Sequence, residues 1–386
     1  MKTLQIGMGW FPEESGGLNR YYYGSSHHLP KAGVDIQGLL TGSEQIINTT
    51  QQPIKIFAPT KAPLLHRWRG IRRAIKQLKL SEYDAVVAHF ALYTLPILNQ
   101  ISNLPLVFHF HGPWALESSA ENQKALNVRL KKTLEQIVYR RASHFIVLSN
   151  AFKKILHEQY SIPLNQIHVI PGGVDLEQFE VSSSRIEARA KLGWEQERTI
   201  IFCVRRLIKR MGLENLIQAI ARVRDRYPDV LLYIAGKGAL AETLEAQIAE
   251  LNLTNNVRLL GYVPDEQLST AYRAANFSVV PTVSFEGFGL IIIESLAAGT
   301  PVLGTPVGGI PEILQPFCAD LLFEDASVDK LTQGIIEILS QKRQLPSSEA
   351  CQTYVANNFS WSVIAPQIKS VYERAISDFT SHQSSS

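Results

Sequence analysis

Short apolar runs alternate with amphipathic helical stretches along nearly the whole chain, and this rhythm constrains the fold more than any other feature. Apolar runs bounded by turn residues read as strands that are covered on both faces. Strand then helix, repeated, is the pattern of α/β architecture with parallel sheets. In the first half the runs fall at residues 4–8, 35–40, 85–89, 106–109, 145–148 and 168–170. In the second half they fall at 199–204, 230–235, 257–260, 277–280 and 301–305. Helical periodicity fills the intervals, as at 213–227, which Pro228 stops, and at 241–251. From Phe179 to Arg185 the chain turns polar, and the alternation restarts beyond it. A length of 386 residues suits two domains of ordinary size. The expectation is therefore one doubly wound domain over 1–180 and a second over 181–359.

The formal charge is only +3, so nothing global calls for nucleic acid. The charge is uneven, however. Residues 1–180 carry 19 Lys and Arg against 13 Asp and Glu, which suggests that the first half meets something anionic. Cys203, Cys318 and Cys351 have neither zinc-site nor redox spacing. Read as reduced thiols, with no secretory h-region at the N-terminus and no apolar run long enough to span a membrane, they point to a cytoplasmic protein.

Glu286-Gly287-Phe288-Gly289-Leu290-Ile291-Ile292-Ile293-Glu294 follows the strand at 277–280 and opens a helix. Glycines suit a backbone that must pass close to a ligand, and a helix N-terminus offers N–H groups and partial positive charge to a diphosphate. Eight residues of helix span about 12 Å, so two carboxylates this far apart can accept hydroxyls on either side of such a group. The same spacing also describes a buried βα unit with exposed glutamates. Arg205-Arg206-Leu207-Ile208-Lys209-Arg210-Met211-Gly212, after the strand at 199–204, reads as cations for a leaving diphosphate or as a solvated basic turn. His109 and His111 lie at i and i+2, on one side of an extended strand. They could bind a metal, but no third and fourth ligands recur nearby, and a packed or capping role is open.

Gly7-Met8-Gly9 lacks the third glycine of a dinucleotide fingerprint. Ser15-Gly16-Gly17-Leu18-Asn19-Arg20 is the better loop signal, with an ordinary glycine turn as the alternative. Between Lys61 and Lys79 lie seven Lys and Arg and no acid, with Leu64, Leu65, Trp68, Ile71, Ile75 and Leu78 at helical spacing. Such a helix can rest on an anionic membrane or simply pack on the core with a solvated basic face. No Asp-x-Asp metal motif occurs.

The stretch from Glu286 to Glu294, followed by Ala297-Ala298-Gly299-Thr300-Pro301-Val302, resembles the E-x7-E motif of the retaining GT-B glycosyltransferases of family 4 (GT4). Ile170-Pro171-Gly172-Gly173-Val174-Asp175, Gly236-Lys237-Gly238 and Gly308-Gly309-Ile310-Pro311-Glu312 fit the same family. The resemblance implies two Rossmann-like domains facing across a cleft. The first would lie on the acceptor side, and a C-terminal helix near 360–380 would pack back on it. It implies that Glu294 binds the ribose, that Glu286 contacts the donor sugar, and that Gly287, Phe288, Gly289 and Leu290 offer backbone N–H groups to sugar and phosphate. Arg206 matches the family's phosphate arginine, while Arg205 stands at its usual glycine and Met211 at its usual lysine; Arg210 or Lys209 would have to replace that lysine. Gly16 and Gly17 would border phosphate and acceptor, and His111 would contact the donor sugar with His109 supporting it.

The implied reaction is hexosyl transfer from a nucleoside diphosphate sugar, UDP- or GDP-linked, to an acceptor hydroxyl. It would proceed with retention and without metal or cofactor. The implied acceptor is a glycan or lipid-linked molecule, in polysaccharide or glycolipid synthesis, with the protein at the inner face of the membrane through Lys61 to Lys79. The alternatives are a sugar-nucleotide-binding subunit of little activity, a GT-B nucleotide-sugar epimerase and a nicotinamide enzyme.

Overall fold

The computed structural model describes residues 1–50, 52–121, 124–181 and 183–384. The chain divides into two compact units, Met1–Gly173 together with Trp361–Ser386, and Val174–Ser360. The first unit holds a parallel sheet ordered β3-β2-β1-β4-β5-β6-β7. Its strands are β1 (Lys2–Ile6), β2 (Asp35–Thr41), β3 (Ile54–Ala58), β4 (Ala85–Ala88), β5 (Leu106–Phe110), β6 (His144–Val147) and β7 (Ile167–Val169). The second holds β8 (Thr199–Val204), β9 (Val230–Ala235), β10 (Val257–Gly261), β11 (Phe277–Val280) and β12 (Val302–Gly304) in the order β10-β9-β8-β11-β12. All pairings are parallel, with register such as Leu4↔Val86 and Phe277↔Ile201.

Both sheets are doubly wound, and this explains why their strands read as continuous apolar runs. Val86, Val87, Leu106, Val107, Ile201 and Phe202 are each fully buried because helices cover both faces. β3 escaped the sequence reading. It is an edge strand, interrupted by exposed Lys55 and flanked by Pro53 and Pro59, so its apolar signal is diluted. In each sheet the order reverses once, between β1 and β4 and between β8 and β11. At such a point the loops diverge above and below the sheet and leave a crevice at the strands' carboxyl ends.

The polar stretch near 180 lies inside the second unit, whose division from the first falls at Gly173/Val174. Ser184 ends that stretch as a helix cap. Its side chain accepts from the Glu187 N–H while the Glu187 carboxylate accepts the Ser184 N–H at 2.7 Å, starting the helix Arg185–Leu192. Val174 bridges Ser360, and the chain then forms the helix Trp361–Ser384 of the first unit. Ile364, Ile368 and Tyr372 of that helix are fully buried, and Trp361 packs against Gly24 and Gly173. Residues 381–386 read from sequence as an unstructured tail. The helix runs on to Ser384, and the last two residues lie outside the described ones. Among the described residues no helix is long and apolar enough to cross a membrane.

Candidate functional site

In the second unit the loops after β8, β9, β11 and β12 are tied backbone to backbone. The Arg205 N–H donates to the Ala235 carbonyl at 2.9 Å, Leu207 to Lys237 at 3.0 Å, Val283 to Arg210 at 2.9 Å and Gly309 to Glu286 at 3.0 Å. Such close approach needs glycine. A Cβ on Gly236 would overlap the Arg205 carbonyl oxygen, and one on Gly308 would overlap that of Glu286. The glycines that looked like a ligand loop in sequence thus also lock four loops into one rim.

Glu286 is fixed on this rim from both sides. Phe285 before it holds φ 53, a left-handed conformation costly for an aromatic residue. Arg210, itself buried, donates Nη1 to the Phe285 carbonyl at 2.7 Å, and the Glu286 carbonyl takes the Gly309 N–H. Arg210 was expected at a phosphate; the structure places its guanidinium as a brace of the Glu286 loop. Met211 is buried beside it, while Lys209 and Arg206 are exposed.

The Glu286 carboxylate is not solitary. Its Oε2 accepts the Thr282 hydroxyl at 3.2 Å and pairs with Nη2 of Arg205, which also donates to Thr282. The Arg205 and Glu286 side chains are 8% and 12% exposed, so the pair is largely out of water. Arg205 Nε is buried and has no partner among the described residues. Sequence reasoning registered Arg205 only as a departure from a glycine. The signal it carried was an arginine directly after a strand at the switch point, facing the next loop's acid.

The helix Leu290–Ala297 follows Gly289, which holds φ 94 and, having no side chain, leaves the first turn without a side-chain cap. Phe288 anchors the turn, buried with its ring edge-on to Phe359 at 5.7 Å. Gly287 and Leu290 are half-buried. Glu294, four residues into the helix, is 3% exposed with the Tyr272 hydroxyl at 3.5 Å. The structure therefore brings Arg206, Glu286, Gly287, Phe288, Gly289, Leu290 and Glu294 to the carboxyl edge of one sheet, as the spacing suggested.

In the first unit, Gly16 (φ 133) and Gly17 are exposed, with open space around each Cα, at the start of the helix Gly17–His28. Asn19 ties this loop to the β1 turn, accepting the Gly9 N–H at 3.1 Å and donating to the Glu14 carbonyl at 3.2 Å. His89 follows β4, His109 lies in β5 and His111 follows it. His89 Nδ1 meets His111 Nε2 at 3.1 Å, His89 Nε2 meets Gln5 Oε1 at 3.2 Å, and His109 Nε2 meets the Tyr372 hydroxyl at 2.7 Å. Burial holds the His111 imidazole down at about 3. Burial, then the neighbouring imidazoles, holds His89 and His109 well below the usual range, so all three are neutral.

Each of the three offers a nitrogen, and these lie within 4.8 Å of one another, near enough for a metal. Two of these rings are, however, already joined by the bond between His89 Nδ1 and His111 Nε2. His89 and Gln5 carry no motif and were missed from sequence. So was Glu135, a buried acid that accepts from Tyr160 at 2.7 Å, from Tyr139 at 3.3 Å and from the Ala115 N–H at 3.4 Å. Burial pushes its carboxyl up to about 7.

Of the stretch from Lys61 to Lys79, Leu64–Lys76 is helical. Ile71 and Ile75 are buried, and Trp68 donates its indole N–H to the Leu92 carbonyl at 3.0 Å, so most of the apolar face serves the core. Leu64 and Leu65 remain exposed beside Arg69, Arg72, Arg73 and Lys76. The helix Ala125–Arg141, unremarked in sequence, exposes Leu126, Leu130 and Ile137.

Residues 184–358 match the family model described as Glycosyl transferases group 1, and residues 15–178 match that described as Glycosyltransferase Family 4. A D-inositol 3-phosphate glycosyltransferase of Corynebacterium glutamicum is 25% identical over 95% of this chain and 93% of its own length. Sucrose-phosphate synthase of Thermosynechococcus elongatus superposes with a TM-score of 0.80 at 23% identity, over 98% of this chain and 99% of that one. HepE of Anabaena, solved in complex with UDP-glucose, gives a TM-score of 0.79 at 22% identity, over 97% of this chain and 100% of that one.

Proposed function

The chain belongs to the GT-B glycosyltransferases of family 4, and from that premise we propose that it moves a hexosyl group from a nucleoside diphosphate sugar to an acceptor hydroxyl, with retention and without a metal. The observation that carries this reading is the Glu286 loop, braced by Arg210 and Gly309 and set beside an uncapped helix N-terminus and the exposed Arg206. As the bond from the anomeric carbon to the phosphate oxygen breaks, charge grows on the diphosphate. Arg206 and the backbone N–H groups of the loop and helix start from Gly287 to Leu290 stabilise it. Glu286 Oε2 is committed to Arg205 and Thr282, which leaves Oε1 to accept a sugar hydroxyl. Glu294 accepts from the ribose.

The acceptor oxygen bonds to the anomeric carbon, and its proton passes to the departing phosphate, so no protein nucleophile is required. From the first unit the family resemblance assigns His111 to the donor sugar and the Gly16 and Gly17 backbone to phosphate and acceptor. Arg210 acts on the donor through the loop it holds.

The UDP-glucose complex of HepE supports a nucleotide-sugar donor, which the family resemblance narrows to a UDP- or GDP-sugar, and a glycan or lipid-linked acceptor rests on that resemblance alone. Contact with an anionic membrane surface fits the exposed Leu64, Leu65, Leu126 and Leu130 among exposed cations. A second reading, a donor-binding subunit with little turnover, draws on Met211, which is buried and uncharged where the family has a lysine. Both readings are tested with a panel of UDP-, GDP- and ADP-sugars, following thermal shift and donor hydrolysis with chelator present. The enzyme reading expects one donor to stabilise and be hydrolysed, with both signals lost in Glu294→Ala. Stabilisation without turnover, acceptors included, favours the subunit.

A further inference from the structure

We propose that Thr3, Gln5 and His89 form a directional hydrogen-bond chain that biases the tautomer of His111, so that its Nδ1 meets a ligand chiefly as an acceptor rather than as a donor. The direction follows from the far end. The Asp35 carbonyl can only accept, and the Thr3 hydroxyl lies 3.2 Å from it, so the hydroxyl proton points there. Thr3 Oγ1 then accepts from Gln5 Nε2 at 3.3 Å, which turns the amide oxygen towards His89. That oxygen can only accept, so at 3.2 Å it requires the His89 proton on Nε2. A neutral imidazole protonated at Nε2 is bare at Nδ1, so the 3.1 Å contact requires the proton of His111 on its own Nε2. Neutral His111 is left with a lone pair at Nδ1, for which no described residue supplies a partner.

Reversing the chain forms three of these four bonds, because a Thr3 hydroxyl turned towards Gln5 abandons the Asp35 carbonyl. One net hydrogen bond corresponds to about fivefold in population. Thr3 and Gln5 are fully buried and His89 is 2% exposed, so water does not substitute for a missing link. His109 stacks on His89 with centroids 4.6 Å apart and holds the ring plane. The chain runs across β1, β4 and β5 at the switch point of the first sheet. Thr3, Gln5 and His89 are positioning residues: they touch no ligand and decide what His111 can do to one. A hydroxyl can donate to a bare Nδ1, and an O-methyl or deoxy position cannot. The consequence for the sugar rests on the assignment of His111 to the donor made above.

The tautomer is read directly in the full chain labelled with 15N-histidine, with His111 assigned from the signals missing in His111→Gln. The expected spectrum shows Nε2 protonated and Nδ1 bare. Thr3→Val, three links away and isosteric, frees the Gln5 amide to turn and should give His111 as a mixture of both tautomers, while Thr3→Ser keeps the native one. Gln5→Met serves the same purpose if Thr3→Val does not fold. A proton on Nδ1 of native His111, or an unchanged tautomer in the variant that folds, overturns the proposal. Donor hydrolysis separates the two layers. A severalfold lower kcat in Thr3→Val, restored in Thr3→Ser, supports both. A shifted tautomer with unchanged kcat upholds the chain and removes His111 from the donor.

Discussion

At the switch point of the first sheet, Gln5, His89 and His111 are three neutral groups joined by hydrogen bonds. At that of the second, Arg205, Glu286 and Thr282 form an ion pair with a hydroxyl between. The two sheets share a winding and deliver side chains to corresponding places, yet one crevice is built from imidazoles that burial keeps uncharged and the other around an arginine–glutamate pair. The contrast extends over the whole chain, since all 10 histidines belong to the first unit. Topology sets where a residue stands. What chemistry it offers there depends on its burial and its immediate partners, and this makes the two units respond differently to mutation and to pH.

The sharpest way to break the comparison is to discharge the second crevice. Glu286→Gln should lower turnover by about 10²–10³-fold, because a sugar contact is weakened and the loop's charge balance is lost. It should also cost the second unit about 3 kcal/mol, since a buried guanidinium loses its counter-charge. A double-mutant cycle with Arg205→Met, read by urea unfolding, isolates the pair. A coupling energy near zero would mean the crevice is not held by charge.

The next effect separates the units by acid. The imidazoles of His89, His109 and His111 are depressed in the folded state, so their stabilising contribution is complete above the ordinary histidine value of 6.5 and is lost as pH falls below it. Each contributes a slope of up to about 1.4 kcal/mol per pH unit below that point. Hydrogen exchange should show the first unit losing protection before the second between roughly pH 6 and 4. Equal loss in both would erase the contrast. Glu135 acts in the opposite sense. Its folded value, about 7, lies above the ordinary 4.5, so this group costs the first unit stability as pH rises through that window, on the order of 3 kcal/mol. Glu135→Gln should therefore steepen the acid loss of the first unit and leave the second unchanged.

The smallest effect is expected at Arg210. Arg210→Met frees the Phe285 carbonyl while leaving the Arg205–Glu286 pair in place, and should raise the donor KM about tenfold with kcat nearly kept. A kcat loss as large as that of Glu286→Gln would make Arg210 a direct phosphate contact, as its sequence position first suggested.

The rhythm of strands was legible because parallel strands buried on both faces leave uninterrupted apolar runs, and it failed at β3, where one face meets solvent at the sheet's edge. The stretch from Glu286 to Glu294 was legible because strand, glycine turn and helix are contiguous. What was not legible lies between neighbouring strands. Arg205 and Glu286 are 81 residues apart, and Gln5 and His89 are 84 apart, since the strands that pair at each switch point meet only after the chain has wound through two others. No local pattern records such a meeting. The bond from Arg210 to the Phe285 carbonyl was hidden for a related reason: its two residues are 75 apart in sequence.

The bridge between Val174 and Ser360 means that the second unit begins and ends at one spot, as an insertion within the first. During synthesis from the N-terminus, the host emerges early but without its last helix. Trp361, Ile364, Ile368 and Tyr372, which fill its core, leave the ribosome only after the entire insert. The insert can close as soon as Ser360 is free, whereas the histidine-lined host must wait, with His109 lacking its tyrosine, for the final helix to arrive. The protein is thus finished in the reverse of the order in which it is begun, and a nascent chain stalled near residue 360 would carry a completed guest inside an uncompleted host.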